Sequence, residues 1–382
     1  MSRTGITGAT IVTPEDEIAG HTLVIGGGRI LDIVPDGSAP EVDKVQLAGG
    51  WILPGFIDIQ VNGGGDVLLN DDPTPEAMGR IAAAHRRFGT TGLLPTLISD
   101  TPEKVARAID AADQAIASGM PGILGVHIEG PHLNPAKRGI HDSGMFRRLD
   151  RTTVELLARP GAGARLVTIA PEVADDGMIA ALRSVGIRVA AGHSVADYEL
   201  TSRAIEQGLS GFTHLFNAMT QLGSREPGMV GAALESQATK FGIIADGHHV
   251  HSASVRVALA ARGADGVMLV TDAMPPVGGA RDSFSLGGVE VRVVDGTCRG
   301  PDGTLGGSML TMAQAFRNTL EWTGLPVRAI SRMASGNASE FLGLGEQTGS
   351  IRSGLAADLV HLGEDLRVRR TWIHGGPQES GE

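Results

Sequence analysis

The apolar positions of this chain fall into two textures. Through its middle, short apolar runs of β character alternate with stretches whose apolar residues recur at helical spacing. The β runs are residues 51–61, 92–97, 123–129, 166–170, 188–193, 211–215, 241–245 and 267–272. Helical spacing follows over 74–88, 102–118, 197–207 and 252–262. Eight β runs, each with room for a helix behind it, predict a parallel sheet closed as a (β/α)8 TIM-like barrel. From 278 to 307 the pattern breaks into alternating β residues and turns, which predicts a β-hairpin insertion. Helices resume from Ser308.

The ends differ. Residues 6–12, 21–25, 29–34 and 44–47 are closely spaced β segments punctuated by turns such as Gly26-Gly27-Gly28, and a similar texture returns at 357–362 and 368–374. Both termini are therefore expected to build one small β-sandwich domain, from residues 1–50 and 345–382, around a barrel of residues 51–344.

Composition narrows the function. Of 382 residues, 55 are glycine, often clustered between apolar runs, as tight strand-to-helix turns require. The net charge of −11 argues against nucleic acid or an anionic membrane as partner, since each needs a basic face. A small anionic substrate stays open, because a few cations can dominate a closed pocket. A single cysteine, Cys298, excludes an internal disulfide and a thiolate cluster, so any metal falls to His, Asp and Glu. The N-terminus lacks a signal-peptide core and no run reaches the ~18 apolar residues of a membrane span, so a cytoplasmic protein is expected.

Active sites of such barrels form at the C-terminal ends of the strands. There this chain places Gln60 and Asn62, His127 and Glu129, His193, His214, His248 and His249, and Asp272. Taken singly, each reads more readily as a cap or as a histidine bonded to backbone. Together, Glu129, His193 and His214 supply two imidazoles and a carboxylate, a set that leaves room for water on a divalent ion. Alternation along the strand turns His127 and Glu129 to one side. Asp272 precedes Ala273-Met274-Pro275-Pro276, which disfavours immediate helix capping. A carboxylate there can take a proton from water and return it to a leaving amine.

These residues carry a resemblance. Trp51-Ile52-Leu53-Pro54-Gly55-Phe56-Ile57-Asp58 resembles the first strand of the amidohydrolase superfamily, and Gly349-Ser350-Ile351-Arg352-Ser353-Gly354-Leu355-Ala356-Ala357-Asp358 its return to the terminal β domain. Within it, His127-Ile128-Glu129-Gly130-Pro131, Ala191-Gly192-His193-Ser194, Thr213-His214-Leu215-Phe216-Asn217-Ala218-Met219, Arg225-Glu226-Pro227-Gly228, Ile244-Ala245-Asp246-Gly247-His248-His249 and Val270-Thr271-Asp272-Ala273 are similar to N-acetylglucosamine-6-phosphate deacetylases. The resemblance implies hydrolysis of N-acetyl-D-glucosamine 6-phosphate to D-glucosamine 6-phosphate and acetate, in amino sugar catabolism or cell-wall recycling. It implies one divalent ion, Zn²⁺ foremost, on Glu129, His193 and His214, with Asp272 as general base and acid. It also implies His141 near the acetamide carbonyl, and Asn217, the Ala218 backbone, Arg225 and His249 on the sugar phosphate. A homodimer is implied, in which Arg225 can serve the other subunit's pocket.

The chain departs from the superfamily at its first strand, where Gln60-Val61-Asn62 replaces the usual pair of histidines, and it lacks a bridging lysine at the fourth strand end. Neutral amides are poor ligands for first-row metals, which favours a single ion; a weak second site at Gln60 and Asn62 stays open. The same departure disfavours a cyclic amide hydrolase. The galactosamine epimer of the substrate stays open too, because one inverted hydroxyl leaves no readable trace.

Overall fold

The computed structural model describes residues 3–38 and 42–378. Eight parallel strands form one sheet in sequence order: Phe56–Val61, Thr90–Ile98, Gly125–Glu129, Ala164–Ile169, Arg188–Ala191, Gly211–Phe212, Lys240–Ile243 and Val267–Leu269. Backbone bonds from Asp272 N–H to Gln60 C=O and from Asn62 N–H to Ala273 C=O, both 2.9 Å, join the eighth strand to the first. The expected barrel is thereby closed at its C-terminal mouth.

A helix follows every strand. The first two, Pro75–Arg86 and Pro102–Ala117, open on the same device: Thr74 and Thr101 accept from the third backbone N–H beyond them, and a proline sits at the first helical position. Helices Tyr198–Glu206 and Ser252–Arg262 match the expected spans closely. Arg151–Leu157, Met178–Ser184 and Gly228–Glu235 lie where no helical periodicity was read; seven or eight residues make too few turns to establish a period. Met312–Thr323 completes the set.

One expected strand is two. The run 51–61 breaks at Gly55, with Trp51–Pro54 in a six-stranded sheet and only Phe56–Val61 in the barrel. A Cβ on Gly55 would lie 2.1 Å from Thr91 Oγ1, so only glycine lets the chain cross here. That six-stranded sheet joins both ends of the chain: Trp51–Pro54 pairs in parallel with Thr10–Val12 and antiparallel with Leu359–Leu362. It shares a hydrophobic cluster with the four-stranded sheet of Arg3–Thr7, His21–Gly26, Arg29–Pro35 and Asp43–Gln46, through Ile6, Leu23, Ile52, Leu359 and Trp372. The insertion after the eighth strand is an antiparallel meander of four strands, Ser283–Leu286, Val289–Val294, Thr297–Arg299 and Leu305–Ser308. No helix among the described residues is long and apolar enough to cross a membrane.

Candidate metal centre and catalytic pocket

Glu129, His193 and His214, from the third, fifth and sixth strand ends, converge on one point. Glu129 Oε1 lies 3.2 Å from His193 Nε2 and 3.1 Å from His214 Nε2, and the two nitrogens are 3.0 Å apart. An N–H can point at only one acceptor, so three mutual contacts cannot all be hydrogen bonds. A tetrahedral ion with bonds of about 2.0–2.1 Å has ligand edges of roughly 3.3 Å, which such a triangle matches. The His193 tautomer suits this role: Nδ1 contacts the Lys137 carbonyl at 2.7 Å, which can only accept, leaving the Nε2 lone pair inward. Burial alone would push the Glu129 carboxyl up, but the His193 and His214 rings against it hold it well below its usual range. Burial likewise opposes an imidazolium at His214, yet Glu129 outweighs it and raises that ring's pKa. A site that favours a proton in this way favours a metal cation for the same electrostatic reason.

Asp272 faces this group. Its Oδ1 accepts from Asn62 Nδ2 at 2.5 Å and Gln60 Nε2 at 3.3 Å, while Gln60 Nε2 also reaches both Glu129 oxygens at 3.2–3.3 Å. Both amides thus turn their NH2 groups to carboxylates, donating hydrogen bonds where a second ion was left open. Burial, followed by the Glu129 charge, pushes the Asp272 carboxyl up to about 6.

The backbone under these side chains is strained. His193, His214 and Asp272 have φ of 50°, 33° and 53°, a region that disfavours residues with a Cβ by about 1–3 kcal/mol each. At Asp272 the neighbours that hold the turn are visible. Ser308 N–H donates to the Asp272 carbonyl at 2.8 Å and Ser308 Oγ to the Thr271 carbonyl at 2.6 Å, while Thr271 Oγ1 donates to the wholly buried Asp58 carboxylate at 2.5 Å. Asp58 also accepts from the Gln60 and Thr271 amides, tying the first strand to the eighth.

Burial pushes the Asp58 carboxyl up to about 7. A raised folded-state pKa contributes stability below the unfolded value of 3.8, and that stability is lost as pH rises through 7. Asp58→Asn keeps the shape without titrating. Melting temperatures from about pH 4 to pH 8 are therefore expected to fall more steeply in the parent than in this variant; parallel curves would remove Asp58 as the cause.

A pocket of about 390 Å³ opens above the metal group, lined by Asn62, Glu129, His141, His193, His214, Asn217, Ala218, His249 and Asp272 among others. Nδ1 of His141 lies 2.8 Å from Ser99 Oγ and accepts from the Ser99 amide at 3.4 Å, which leaves its proton on Nε2. Burial first, and the His193 ring second, push its pKa down to about 3, so it is a neutral donor. His249 Nδ1 contacts Asp246 Oδ2 at 2.6 Å; burial would raise the Asp246 carboxyl, but that contact, the His249 ring and the His248 and His249 amides together hold it below its usual value.

Three expected positions fall elsewhere. His248 is exposed beside His249 and is not among the pocket's lining residues. His127 shares its face with Glu129 but lies one layer deeper, with Nε2 2.8 Å from Thr168 Oγ1, and burial lowers its pKa to about 4. Arg225 is exposed on the loop after the sixth strand, is not among the pocket's lining residues, and forms no ion pair among the described residues. Other residues join them. Ser99 and Asp246 orient the two histidines, Lys137 lines the pocket, and Thr304, Leu305 and Gly307 of the inserted sheet form part of its wall. Ser99 and Asp246 occupy strand-end positions that could have drawn attention; the inserted wall has no local signal.

Known proteins resemble this chain along nearly its whole length. The amidohydrolase family pattern matches residues 51–377. N-acetylgalactosamine-6-phosphate deacetylase of Shewanella sp. (strain ANA-3) is 44% identical over 330 residues, 86% of this chain and 84% of that protein. N-acetylglucosamine-6-phosphate deacetylase of Mus musculus is 38% identical over 375 residues, 92% of this chain and 90% of that protein. Among solved structures, an aspartate-to-alanine variant of N-acetyl-D-glucosamine-6-phosphate deacetylase from Mycobacterium smegmatis, in complex with N-acetyl-D-glucosamine 6-phosphate, matches with a TM-score of 0.90 and 31% identity over 99% of each chain. The family match over residues 51–377 and the identity to these relatives lead to one conclusion: the chain belongs to the amidohydrolase family.

Proposed function

We propose that this protein hydrolyses the acetamide of N-acetyl-D-glucosamine 6-phosphate, releasing acetate and D-glucosamine 6-phosphate. The observation that carries the reading is the convergence of Glu129, His193 and His214 within 4.8 Å of one another beneath a pocket that Asp272 also lines. These three residues would hold one divalent ion, Zn²⁺ in our reading, because two neutral imidazoles and one carboxylate suit it. When bound, such an ion supplies a water of lowered pKa and a Lewis acid for the carbonyl.

The chain's own groups do the rest. Asp272 takes the proton of the attacking water and returns it to the nitrogen as the C–N bond breaks. Its two amide partners limit the repulsion between its charge and that of Glu129. His141, with its proton on Nε2, donates to the acetamide oxygen as negative charge develops there. Asn217 and the Ala218 amide bind the phosphate end of the sugar, and His249, steadied by Asp246, binds a hydroxyl.

Arg225 is the natural anion ligand of this loop, and its exposure away from its own pocket supports a homodimer in which it reaches the neighbour's. A sugar phosphate does not cross a bilayer unaided, which supports a cytoplasmic enzyme, in amino sugar catabolism or cell-wall recycling. A second reading, the galactosamine epimer, is favoured by the 44% identity to the Shewanella enzyme.

Protein of measured metal content, offered both 6-phosphorylated epimers and their unphosphorylated forms, separates these. Loss of the phosphate removes at least one charge-assisted contact of about 1.5–3 kcal/mol, so kcat/KM is expected to fall by roughly 10- to 100-fold. Indifference to phosphate would sink the substrate assignment, and a preference for the galactosamine epimer would move it to the second reading.

A further inference from the structure

At the other end of the barrel lies a second cavity of about 620 Å³, within the ~300–1,000 Å³ span of small-molecule sites. It opens where the third, fourth and fifth strands begin and the last helix returns to the terminal strands. Strands of four to six residues, rising about 3.3 Å each, put it roughly 15–20 Å from the metal group. In a chain of net charge −11, its wall is cationic: Arg159, Arg165 and Arg188 face it with a single carboxylate, Asp358, and the exposed ring of His374.

Most of these charges are already engaged. Arg159 pairs with Asp110 at 2.9 Å, and Arg165 with Asp113 at 3.1 Å. Asp358 accepts from the His374 amide at 2.8 Å and the Thr348 hydroxyl at 3.2 Å. Arg188 is the exception. It makes no ion pair or hydrogen bond among the described residues, and its Nε is buried without an acceptor. A guanidinium offers five donors in a rigid fork, and the Nε–H of this one is withdrawn from water without an acceptor, which is costly. Its position beside Gly343, at the C-terminal end of the helix Asn337–Leu342, accounts for a cation there but satisfies none of those donors.

We propose that this cavity is a second ligand site, distinct from the catalytic pocket, which takes a small oxyanion on the fork of Arg188. Phosphate monoesters and carboxylates share the two-oxygen face that the fork fits. The site does not depend on the deacetylase reading.

Equilibrium dialysis of the metal-loaded enzyme against radiolabelled orthophosphate, beside Arg188→Met, tests it. The parent is expected to bind one more phosphate per chain than the variant, with kcat/KM unchanged. Displacement of the extra phosphate by glucosamine 6-phosphate but not succinate identifies a phosphate ester as ligand, and displacement by succinate a carboxylate; either supports the site. Equal stoichiometry in the two proteins overturns it and leaves a water-filled cavity. If Arg188→Met does not fold, Arg188→Lys keeps the charge and loses the fork, and an unchanged phosphate affinity there overturns the proposal as well.

Discussion

Asp272→Asn is expected to keep its metal and lose about 10³-fold in kcat, within the ~10²–10⁴ that a positioned general acid–base contributes. The substitution retains the shape of the carboxylate and its left-handed turn, which the Ser308 and Gln60 backbone bonds hold independently of the side chain. What it removes is the ability to take a proton. Its carbonyl oxygen can still accept from the Asn62 and Gln60 amides, as Asp272 Oδ1 does, while its NH2 replaces the other carboxylate oxygen. Metal content per chain, measured beside turnover, separates this from collapse of the site. The pH profile carries the sign. A carboxyl raised to about 6 is ionised above that value, so the parent's kcat/KM falls as pH drops through its acid limb. A bound cation pulls the limb lower, and the variant is expected to lose it. Near-normal turnover, or an unchanged acid limb, would take the proton role away from Asp272.

That such a residue could be picked out beforehand reflects a property of the barrel. A parallel strand buried on both faces is apolar along its length, so a charged or imidazole side chain at its C-terminal end stands out. Glu129, His193, His214 and Asp272 were legible for that reason, and the structure brings all four to one pocket. The same reasoning sees direction but not depth. His127 shares a face with Glu129, yet two residues of rise, about 6–7 Å, put it against Thr168 inside the barrel.

Contacts between distant segments were not legible at all. The strand Leu305–Ser308 pins the Asp272 turn and walls the pocket, but its sequence, Leu-Gly-Gly-Ser, announces neither. The break at Gly55 was hidden because Trp51–Pro54 and Phe56–Val61 are both buried β runs, and only the close approach of Thr91 separates them. The role of Lys137 toward the metal group lies in its carbonyl, which every residue has. Arg225 is the converse case, a side chain marked by its motif that the single chain leaves in solvent.

Glu129→Gln is expected to do the opposite of Asp272→Asn, losing the metal first and the activity with it. Glu129 is the only carboxylate among the three converging ligands, and it faces both imidazoles. Glutamine fills the same volume but replaces an anionic ligand with a neutral amide that first-row metals bind poorly. Dialysed variant protein is therefore expected to hold far less than one ion per chain and to regain part of its turnover when divalent metal is added in excess. Because a ligand present at about 1,000 times its Kd stabilises the fold by about 4 kcal/mol, chelation should lower the melting temperature of the parent and barely move that of Glu129→Gln. The pair of variants makes the assignment testable as a whole. Metal retained with turnover lost must go with Asp272, and metal lost must go with Glu129, His193 or His214. Full metal content in Glu129→Gln would show that the convergence of these three side chains is held by protons and packing, and the metal would then have to be sought on another set of residues.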